Sequence, residues 1–209
     1  MLSFTLSNVA FGSVDVGASS ASQIVTVTNT GAAAISIVEI AVGGPNPASF
    51  VFANNCITSL APGNTCTIHR HFAPTTTVPL TAYITVTSSP HSLQTITLTG
   101  TGVEPVVSLS ASAIPFGSVT VNTPSDSQSV TLTNTGTAPL LITSIAVSGT
   151  NSSEFDFANN CPTNPAAGAS CTIHGHFAPT TTGPMTLAVT VTSTAPGSPE
   201  SFKLSRTGQ

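Results

Sequence analysis

The chain has 209 residues, of which 40% are hydrophobic and 5% are charged, and its formal net charge is −4. Soluble domains usually carry about 25% charged residues, so Ser, Thr, Asn and backbone groups must form most of this surface. The 3 Lys and Arg residues are too few to neutralise the phosphates of a nucleic acid. No apolar run reaches the roughly 20 residues of a membrane-spanning helix. We therefore predict neither nucleic-acid binding nor membrane insertion.

Nearly every segment of the first half alternates polar and apolar residues with a period of two, which indicates β-strands. In residues 23–29, Val25 and Val27 share one face while Thr26 and Thr28 share the other. Clusters of Gly, Pro, Asn and Ser separate the strands. The predicted strands cover 2–6 with a continuation at 9–14, 22–29, 35–43, 49–53, 65–72, 80–88 and 93–99. About seven short strands in about 100 residues predict an all-β sandwich.

The second half of the chain repeats the first. Phe-Gly-Ser-Val at 11–14 returns at 116–119, and Cys-Thr-Ile-His-Arg-His-Phe-Ala-Pro at 66–74 returns at 171–179 with Gly175 in place of Arg. This spacing is too long for a solenoid repeat and suits a small domain. We predict two tandem sandwiches, at 1–102 and 106–209, joined by a linker at 103–105.

The repeated motifs also include Val-Thr-Val-Thr-Asn-Thr-Gly at 25–31 and a closing Leu-Thr-Gly-Thr-Gly at 98–102. In combination they resemble the bacterial ASH/Hydin-type immunoglobulin-like domain, which occurs in tandem in choice-of-anchor surface proteins. The resemblance covers both halves. It implies immunoglobulin-like antiparallel β-sandwiches of about seven strands each, export from the cell, and a role as spacer, stalk or interaction module. One departure is Arg206, which stands where the first half has Gly100.

Each half contains an Asn-Thr-Gly turn, at 29–31 and at 134–136. Glycine tolerates positive φ at no steric cost. We therefore predict turns at these positions in which Gly31 and Gly136 can take positive φ.

Each half also contains two cysteines, about ten residues apart, around a loop rich in turn-forming residues. We predict disulfides Cys56–Cys66 and Cys161–Cys171, because paired cysteines in an exported domain usually form disulfides. A disulfide that closes such a loop contributes roughly 2.5–3 kcal/mol. A metal site is the alternative, since histidines follow closely in the chain. It is disfavoured because Cys66 and His69 should point to opposite faces of their strand.

A His-x-His pair follows the second cysteine of each half: the pairs are His69 with His71 and His174 with His176. Ile68 and Phe72 should face the core, so strand alternation places the histidines outward. Two imidazoles on one strand face can share Zn²⁺, Cu²⁺ or Ni²⁺. These four histidines are our candidate metal ligands, although no cofactor is certain from the sequence.

The histidine pairs need further ligands from a neighbouring strand, the other half or another molecule. Asp156 could serve in the second half, but Val51 occupies the matching position in the first. The alternatives are solvated surface histidines inherited by duplication, or a stacking contact between subunits. His91 has no counterpart in the second half and is predicted to be a loop residue.

Arg70 and Gly175 occupy a predicted inward position between the two histidines of each pair. A buried Arg is costly and a Gly leaves a hole. We expect either a strand bulge at this point or a position at the rim of the sandwich, where Arg70 reaches solvent.

The sequence contains no motif of an enzyme: its 7 carboxylates are mostly isolated, and there is no nucleophile elbow or phosphate-binding loop. We predict a non-enzymatic structural module of a secreted bacterial surface protein, filament or appendage. Its partners would be further copies of itself or other surface-protein domains. Metal binding through the histidines and recognition of a protein or glycan are the alternatives.

The start of the chain has no signal peptide, so we expect a mature form. The sequon Asn151-Ser152-Ser153 carries no expectation in a bacterial protein.

Overall fold

The computed structural model of the chain describes residues 1–90, 92–150 and 152–209. His91 and Asn151, and with them the loop prediction for His91 and the sequon at 151–153, lie outside the described residues. The chain divides into two compact units, Met1–Val103 and Glu104–Gln209, here called the first and second domains. Within the described ranges, no helix is long and apolar enough to cross a membrane.

The first domain is built from strands and one short 3₁₀-helix at Pro47–Ser49. Its strands are β1 (Leu2–Phe4), β2 (Asn8–Asp15), β3 (Gln23–Asn29), β4 (Ile35–Gly43), β5 (Phe50–Asn54), β6 (Ser59–Leu60), β7 (Thr65–Phe72), β8 (Pro79–Ser89) and β9 (Ser92–Val103). The predicted strands agree with these bounds within a few residues. The two-residue strand β6 and the 3₁₀-helix were not predicted, because neither is long enough to show a period.

Two sheets form the first domain, with strand orders β1-β3-β7-β5 and β2-β9-β8-β4-β6. All their pairings are antiparallel except that of β2, which runs parallel to β9. The chain switches sheets between β1 and β2, so both sheets receive part of the first predicted strand. The prediction of a fully antiparallel sandwich was therefore wrong for this one pair.

The second domain repeats this arrangement. Its strands are β10 (Val107–Leu109), β11 (Ala113–Val119), β12 (Gln128–Asn134), β13 (Ile142–Ser148), β14 (Phe155–Asn159), β15 (Ser170–Phe177), β16 (Gly183–Ser193) and β17 (Glu200–Gly208), with a 3₁₀-helix at Ser152–Glu154. The sheets have the orders β10-β12-β15-β14 and β11-β17-β16-β13, and β11 runs parallel to β17. The predicted all-β fold with two tandem immunoglobulin-like sandwiches is confirmed.

Each domain has its own core between its two sheets. In the first domain the alternating apolar residues of β3, β7, β8 and β9 supply most of it, and in the second those of β12, β15, β16 and β17. Ile68 and Phe72 have no exposed surface, as strand alternation predicts. Three phenylalanine rings contact one another in each domain: Phe11, Phe50 and Phe72, and Phe116, Phe155 and Phe177.

The repeated Phe-Gly-Ser-Val motif forms a bulge in the parallel strand. The pairing of β2 with β9 shifts between Ala10 and Ser13, and Gly12 there has φ of 70°. A side chain is rarely tolerated in that left-handed conformation. The bulge places the Phe11 ring within 6.0 Å of the Phe72 ring centroid, so the motif is explained by the fold.

The two Asn-Thr-Gly turns differ from the prediction, because neither Gly31 nor Gly136 has positive φ. Glycine is required there by close packing: a Cβ on Gly31 would lie 2.6 Å from the backbone nitrogen of Met1, and one on Gly136 would lie 2.5 Å from that of Val106. The asparagine makes the turn, since Asn29 Oδ1 accepts the Gly31 N–H at 2.9 Å.

Arg70 is also placed differently from both expectations. The register of β7 with β3 and with β5 is continuous at Arg70, so the strand has no bulge there. Arg70 is only 1% exposed, so it does not reach solvent at a rim. Among the described residues its Nη2 donates to Ile68 O at 3.4 Å, while Nε and Nη1 have no partner. Burial lowers the pKa of Arg70 to about 10, so the guanidinium stays charged at neutral pH.

In the second domain a phenylalanine fills the space that Arg70 takes in the first. A Cβ on Gly175 would lie 2.7 Å from Cζ of Phe155, and the Phe155 ring stacks on Phe157 at 6.2 Å. The hole expected from glycine is therefore absent. The same position in the two cores is thus filled by the Arg70 side chain in the first domain and by the Phe155 ring in the second.

We expect Arg70→Met to raise the free energy of unfolding of the first domain by about 1–3 kcal/mol, because unpaired buried donors carry a penalty of that size and Met fills most of the volume. Urea denaturation, monitored by hydrogen exchange of the β8 and β9 amides, measures this free energy of unfolding. Arg206→Met is the matched control, since Arg206 has a buried carboxylate partner, and it should destabilise the second domain. A loss of stability in Arg70→Met would contradict the expectation.

Candidate functional site

The repeated histidines lie on β7 and β15, each of which is an inner strand of its sheet. β7 pairs with β3 and β5, and β15 pairs with β12 and β14. Along both strands buried residues alternate with exposed or half-buried ones. His69 and His174 are exposed, whereas His71 and His176 are half-buried. We call the outer side of these strands, with its neighbours on the flanking strands, the histidine face of each domain.

The histidine face of the first domain is flanked by apolar side chains. His69 lies opposite Ile24 on β3 and opposite Ala53 on β5, and His71 lies opposite Val51. Ile24 is 50% exposed and Val51 is 47% exposed. Directly opposed side chains on neighbouring strands are in contact range, so this face combines imidazoles with uncovered β-branched residues.

Hydrogen bonds fix the side chain of His69. The Asn55 Oδ1 atom accepts the Thr67 N–H at 2.7 Å and the Thr67 Oγ1 proton at 3.1 Å. Thr67 Oγ1 lies 3.1 Å from His69 Nε2. Nδ1, the other ring nitrogen, has no hydrogen-bond partner among the described residues. The ring thus has one nitrogen available to a metal ion or a partner's donor.

The histidine face of the second domain has polar neighbours instead. His174 lies opposite Ser129 and Ala158, and His176 lies opposite Asp156. The two imidazoles, together with Asp156, Phe157 and Ala158, line a shallow depression of 190 Å³. The predicted acidic neighbour is therefore placed beside one histidine of this domain.

The described residues contain no group of three or more His, Cys, Asp and Glu side chains that could hold a metal ion. Each histidine pair has at most the Asp156 carboxylate near it, and a structural Zn²⁺ site takes four ligands. Metal binding through His69, His71, His174 and His176 stays a prediction that requires ligands from another molecule.

The two predicted disulfides are present beside the histidine strands. Cys56–Cys66 and Cys161–Cys171 each have Cα atoms 4.9 Å apart, and no described cysteine is free. Asn54 Oδ1 accepts the Cys56 N–H at 3.0 Å. The repeated Asn-Asn-Cys motif thus serves structure: its first Asn turns the chain into the disulfide, and its second, Asn55, holds Thr67 on β7.

The second domain contains a buried ion pair that was not predicted from the sequence. Arg206 Nη2 donates to Glu154, and the two side chains are 1% and 5% exposed. Thr180 Oγ1 donates to Glu154 Oε1 at 2.6 Å, and Arg206 Nη1 donates to Thr181 O at 3.0 Å. A signal was available: Arg206 replaces Gly100, and Glu154 likewise replaces Ser49, so both charges appear in one half only.

Each half of the chain matches a known family model. Residues 105–209 match the family model described as the HYDIN/CFA65/VesB-like, Ig-like domain, and residues 1–103 match the model described as Cep192 domain 4. The chain belongs to the HYDIN/CFA65/VesB-like Ig-like family. An Ig-like fold suggests a structural or binding module, which is the coarse part of the functional prediction.

Several solved structures are similar to this Ig-like tandem. A protein of unknown function from Porphyromonas gingivalis W83 has a TM-score of 0.41 and 12% identity, over 99% of both chains. The VesB protease of Vibrio cholerae has a TM-score of 0.40 and 19% identity, over 48% of this chain and 31% of that one. The PapD-like domain 7 of human CEP192 has a TM-score of 0.38 and 15% identity, over 51% and 87%. No curated protein matches the chain. These similarities carry no argument about function.

Proposed function

We propose that this Ig-like tandem is a non-enzymatic structural module of a secreted surface protein, filament or appendage, and that it associates with further copies of itself. The observation that carries the proposal is the histidine face of the first domain, where Ile24 and Val51 are about half exposed beside two imidazoles. Exposed apolar side chains grouped on one sheet face are typical of interaction surfaces.

Charge supports the same proposal. The chain has 3 basic and 7 acidic side chains, so stacked copies would repel one another weakly. The edge strands β5 and β13 contain no Lys or Arg, although positive charge is a common protection against edge-to-edge pairing. The two disulfides support secretion, because such bonds persist in oxidising compartments.

Sedimentation velocity and electron microscopy over a concentration series test self-association. The matched variant is Ile24→Ser with Val51→Asp, which copies Ser129 and Asp156 of the second domain onto the first. We expect the wild-type chain to form dimers or ordered polymers and this variant to remain monomeric under the same conditions. A wild-type chain that stays monomeric at millimolar concentration would contradict the proposal.

Metal binding is the second candidate, favoured by the free Nδ1 of His69 and by the depression that His174 and His176 share with Asp156. Because each domain supplies too few ligands alone, we expect the ion to link two molecules. Zn²⁺, Cu²⁺ or Ni²⁺ would then both bind and promote association.

Calorimetric titration with each of the three ions measures this binding. We expect His69→Ala and His174→Ala each to remove one class of sites, and His91→Ala, the histidine without a counterpart, to remove none. Affinity weaker than about 0.1 mM for all three ions would reject metal binding as a function.

A further inference from the structure

The entry into the second domain shows how this fold holds an extended segment. The loop that follows β12 donates two backbone N–H groups, from Thr137 at 2.8 Å and Ala138 at 3.3 Å, to Glu104 O. In return the Glu104 N–H donates to Thr137 Oγ1 at 3.0 Å. The next residue, Pro105, is buried, and its carbonyl carbon would lie 2.7 Å from a Cβ on Gly136. A Glu-Pro segment is thus seated on this loop.

The first domain has the same loop without the segment. Met1 takes the place of Val106, since Met1 O accepts the Thr30 N–H at 2.8 Å just as Val106 O accepts the Thr135 N–H at 2.8 Å. Ala32 and Ala33 correspond to Thr137 and Ala138. Neither alanine N–H has an acceptor among the described residues.

An apolar groove adjoins these two amides. It has a volume of 340 Å³ and is lined by Met1, Leu2, residues 31–35, Ser88 and Pro90. Ala32 and Ala33 are exposed, and Met1 is 81% exposed. The groove lies beside Gly31, where the second domain seats Pro105 against Gly136.

We propose that this groove is a docking surface for an extended Glu-Pro segment that enters the first domain from a preceding copy of the same fold. One carbonyl of the segment would accept both alanine amides, and the proline would cover the groove beside Gly31. Proline suits this position because it has no N–H to satisfy and because it holds the residue before it extended. The inference goes beyond the proposed function and does not depend on self-association or on metal binding.

Hydrogen exchange of the full chain, followed by NMR, tests the docking. One variant carries Val-Glu-Pro directly before the residue at position 1, copying residues 103–105, and the matched control carries Gly-Ser-Gly there. We expect the Val-Glu-Pro chain to slow exchange of the Ala32 and Ala33 amides by about tenfold relative to the control, as expected for one newly formed hydrogen bond each. The Thr137 and Ala138 amides of the same sample give the internal reference for a filled site.

Three outcomes would overturn the proposal. Exchange of the Ala32 and Ala33 amides that is as fast in both extended chains as in the unextended chain would show that the Glu-Pro segment does not dock. Equal slowing by both extensions relative to the unextended chain would show that the surface holds any backbone and does not select proline. Protection that rises with the concentration of the unextended chain would identify a second molecule as the occupant. Pro105→Gly provides an independent check, because it should speed exchange at Thr137 and Ala138 while leaving Ala32 and Ala33 unchanged.

Discussion

Replacing Glu154 by Ser is expected to lower the free energy of unfolding of the second domain by about 3–5 kcal/mol, because it leaves the buried Arg206 guanidinium without its carboxylate. Arg206→Gly should have a similar cost, since the buried Glu154 carboxylate would lose its cation and retain only hydrogen bonds from Thr180 and Thr181. Native-state hydrogen exchange of β16 and β17 amides in the full chain measures both effects. The amides of β8 and β9 report the first domain, which should not change.

The double variant Glu154→Ser with Arg206→Gly separates the pair from its parts. It copies Ser49 and Gly100 of the first domain, where a Cβ on Gly100 would lie 2.6 Å from the Phe72 ring. Phe177, whose centroid lies 6.0 Å from the Arg206 guanidinium, can occupy the vacated space in the same way. We expect the double variant to be more stable than either single variant, since neither charge remains unpaired. Simple addition of the two single losses would contradict this coupling. Asp156→Ser, at an exposed carboxylate, should change stability by less than about 0.5 kcal/mol.

The same ion pair predicts how stability depends on pH. The hydrogen bond from Thr180, together with Arg206, holds the pKa of Glu154 below its ordinary value despite its burial. A carboxyl with a lowered folded pKa stabilises the fold at every pH above its unfolded pKa, and this contribution is lost as pH falls through the folded value. Thermal unfolding between pH 7 and pH 3 should therefore destabilise the second domain more in wild type than in the double variant. Parallel pH profiles for the two proteins would contradict the assignment.

Strand positions and core composition were predictable because each rests on a local pattern. Alternation along β7 placed Ile68 inward and His69 outward, and the spacing of Cys56 and Cys66 allowed a disulfide. Such features depend on near neighbours in sequence, which a period or a spacing records.

The features that were not predicted depend on contacts between distant segments. Glu154 and Arg206 are 52 residues apart in sequence. They meet only because the fold brings the end of the 3₁₀-helix next to β17. The burial of Arg70 likewise depends on Phe50 and Phe155 packing differently in the two cores. Gly31 is required by the approach of Met1, which no turn propensity encodes.

The structure explains most of what the two halves share. Gly12 forms a bulge, Asn29 makes a turn, and Asn55 ties the disulfide loop to β7. The His-x-His pairs have no comparable structural role, since three of the four imidazoles have no hydrogen bond among the described residues that fixes them. Their flanking residues differ between the domains, so the pairs persist while their surroundings diverge. This contrast makes the histidine face the main candidate for function.

Replacing both cysteines of one disulfide by serine is the second change with a large expected effect. The bond closes a loop with a sequence separation of 10, and in the chain-entropy model its loss costs about 2.7 kcal/mol. For a domain of this size such a loss lowers the melting temperature by roughly 10–20 °C. Scanning calorimetry of Cys56→Ser with Cys66→Ser, and of the matched Cys161→Ser with Cys171→Ser, should show one transition shifted in each variant.

Reduction should reproduce these shifts in the wild-type chain and add nothing for the domain that already lacks its disulfide. A melting temperature that is unchanged by reductant would contradict the entropic contribution. A local effect should accompany the global one, because Cys56 follows the residue whose side chain holds Thr67 at 2.7 Å. Once the loop opens, the Thr67 amide should exchange faster than the buried amides of β8. A change of about 2.7 kcal/mol corresponds to roughly a hundredfold change in the ratio of folded to unfolded protein. The fold is therefore most stable in an oxidising environment, where disulfides persist. The proposed extracellular role places the protein in such an environment.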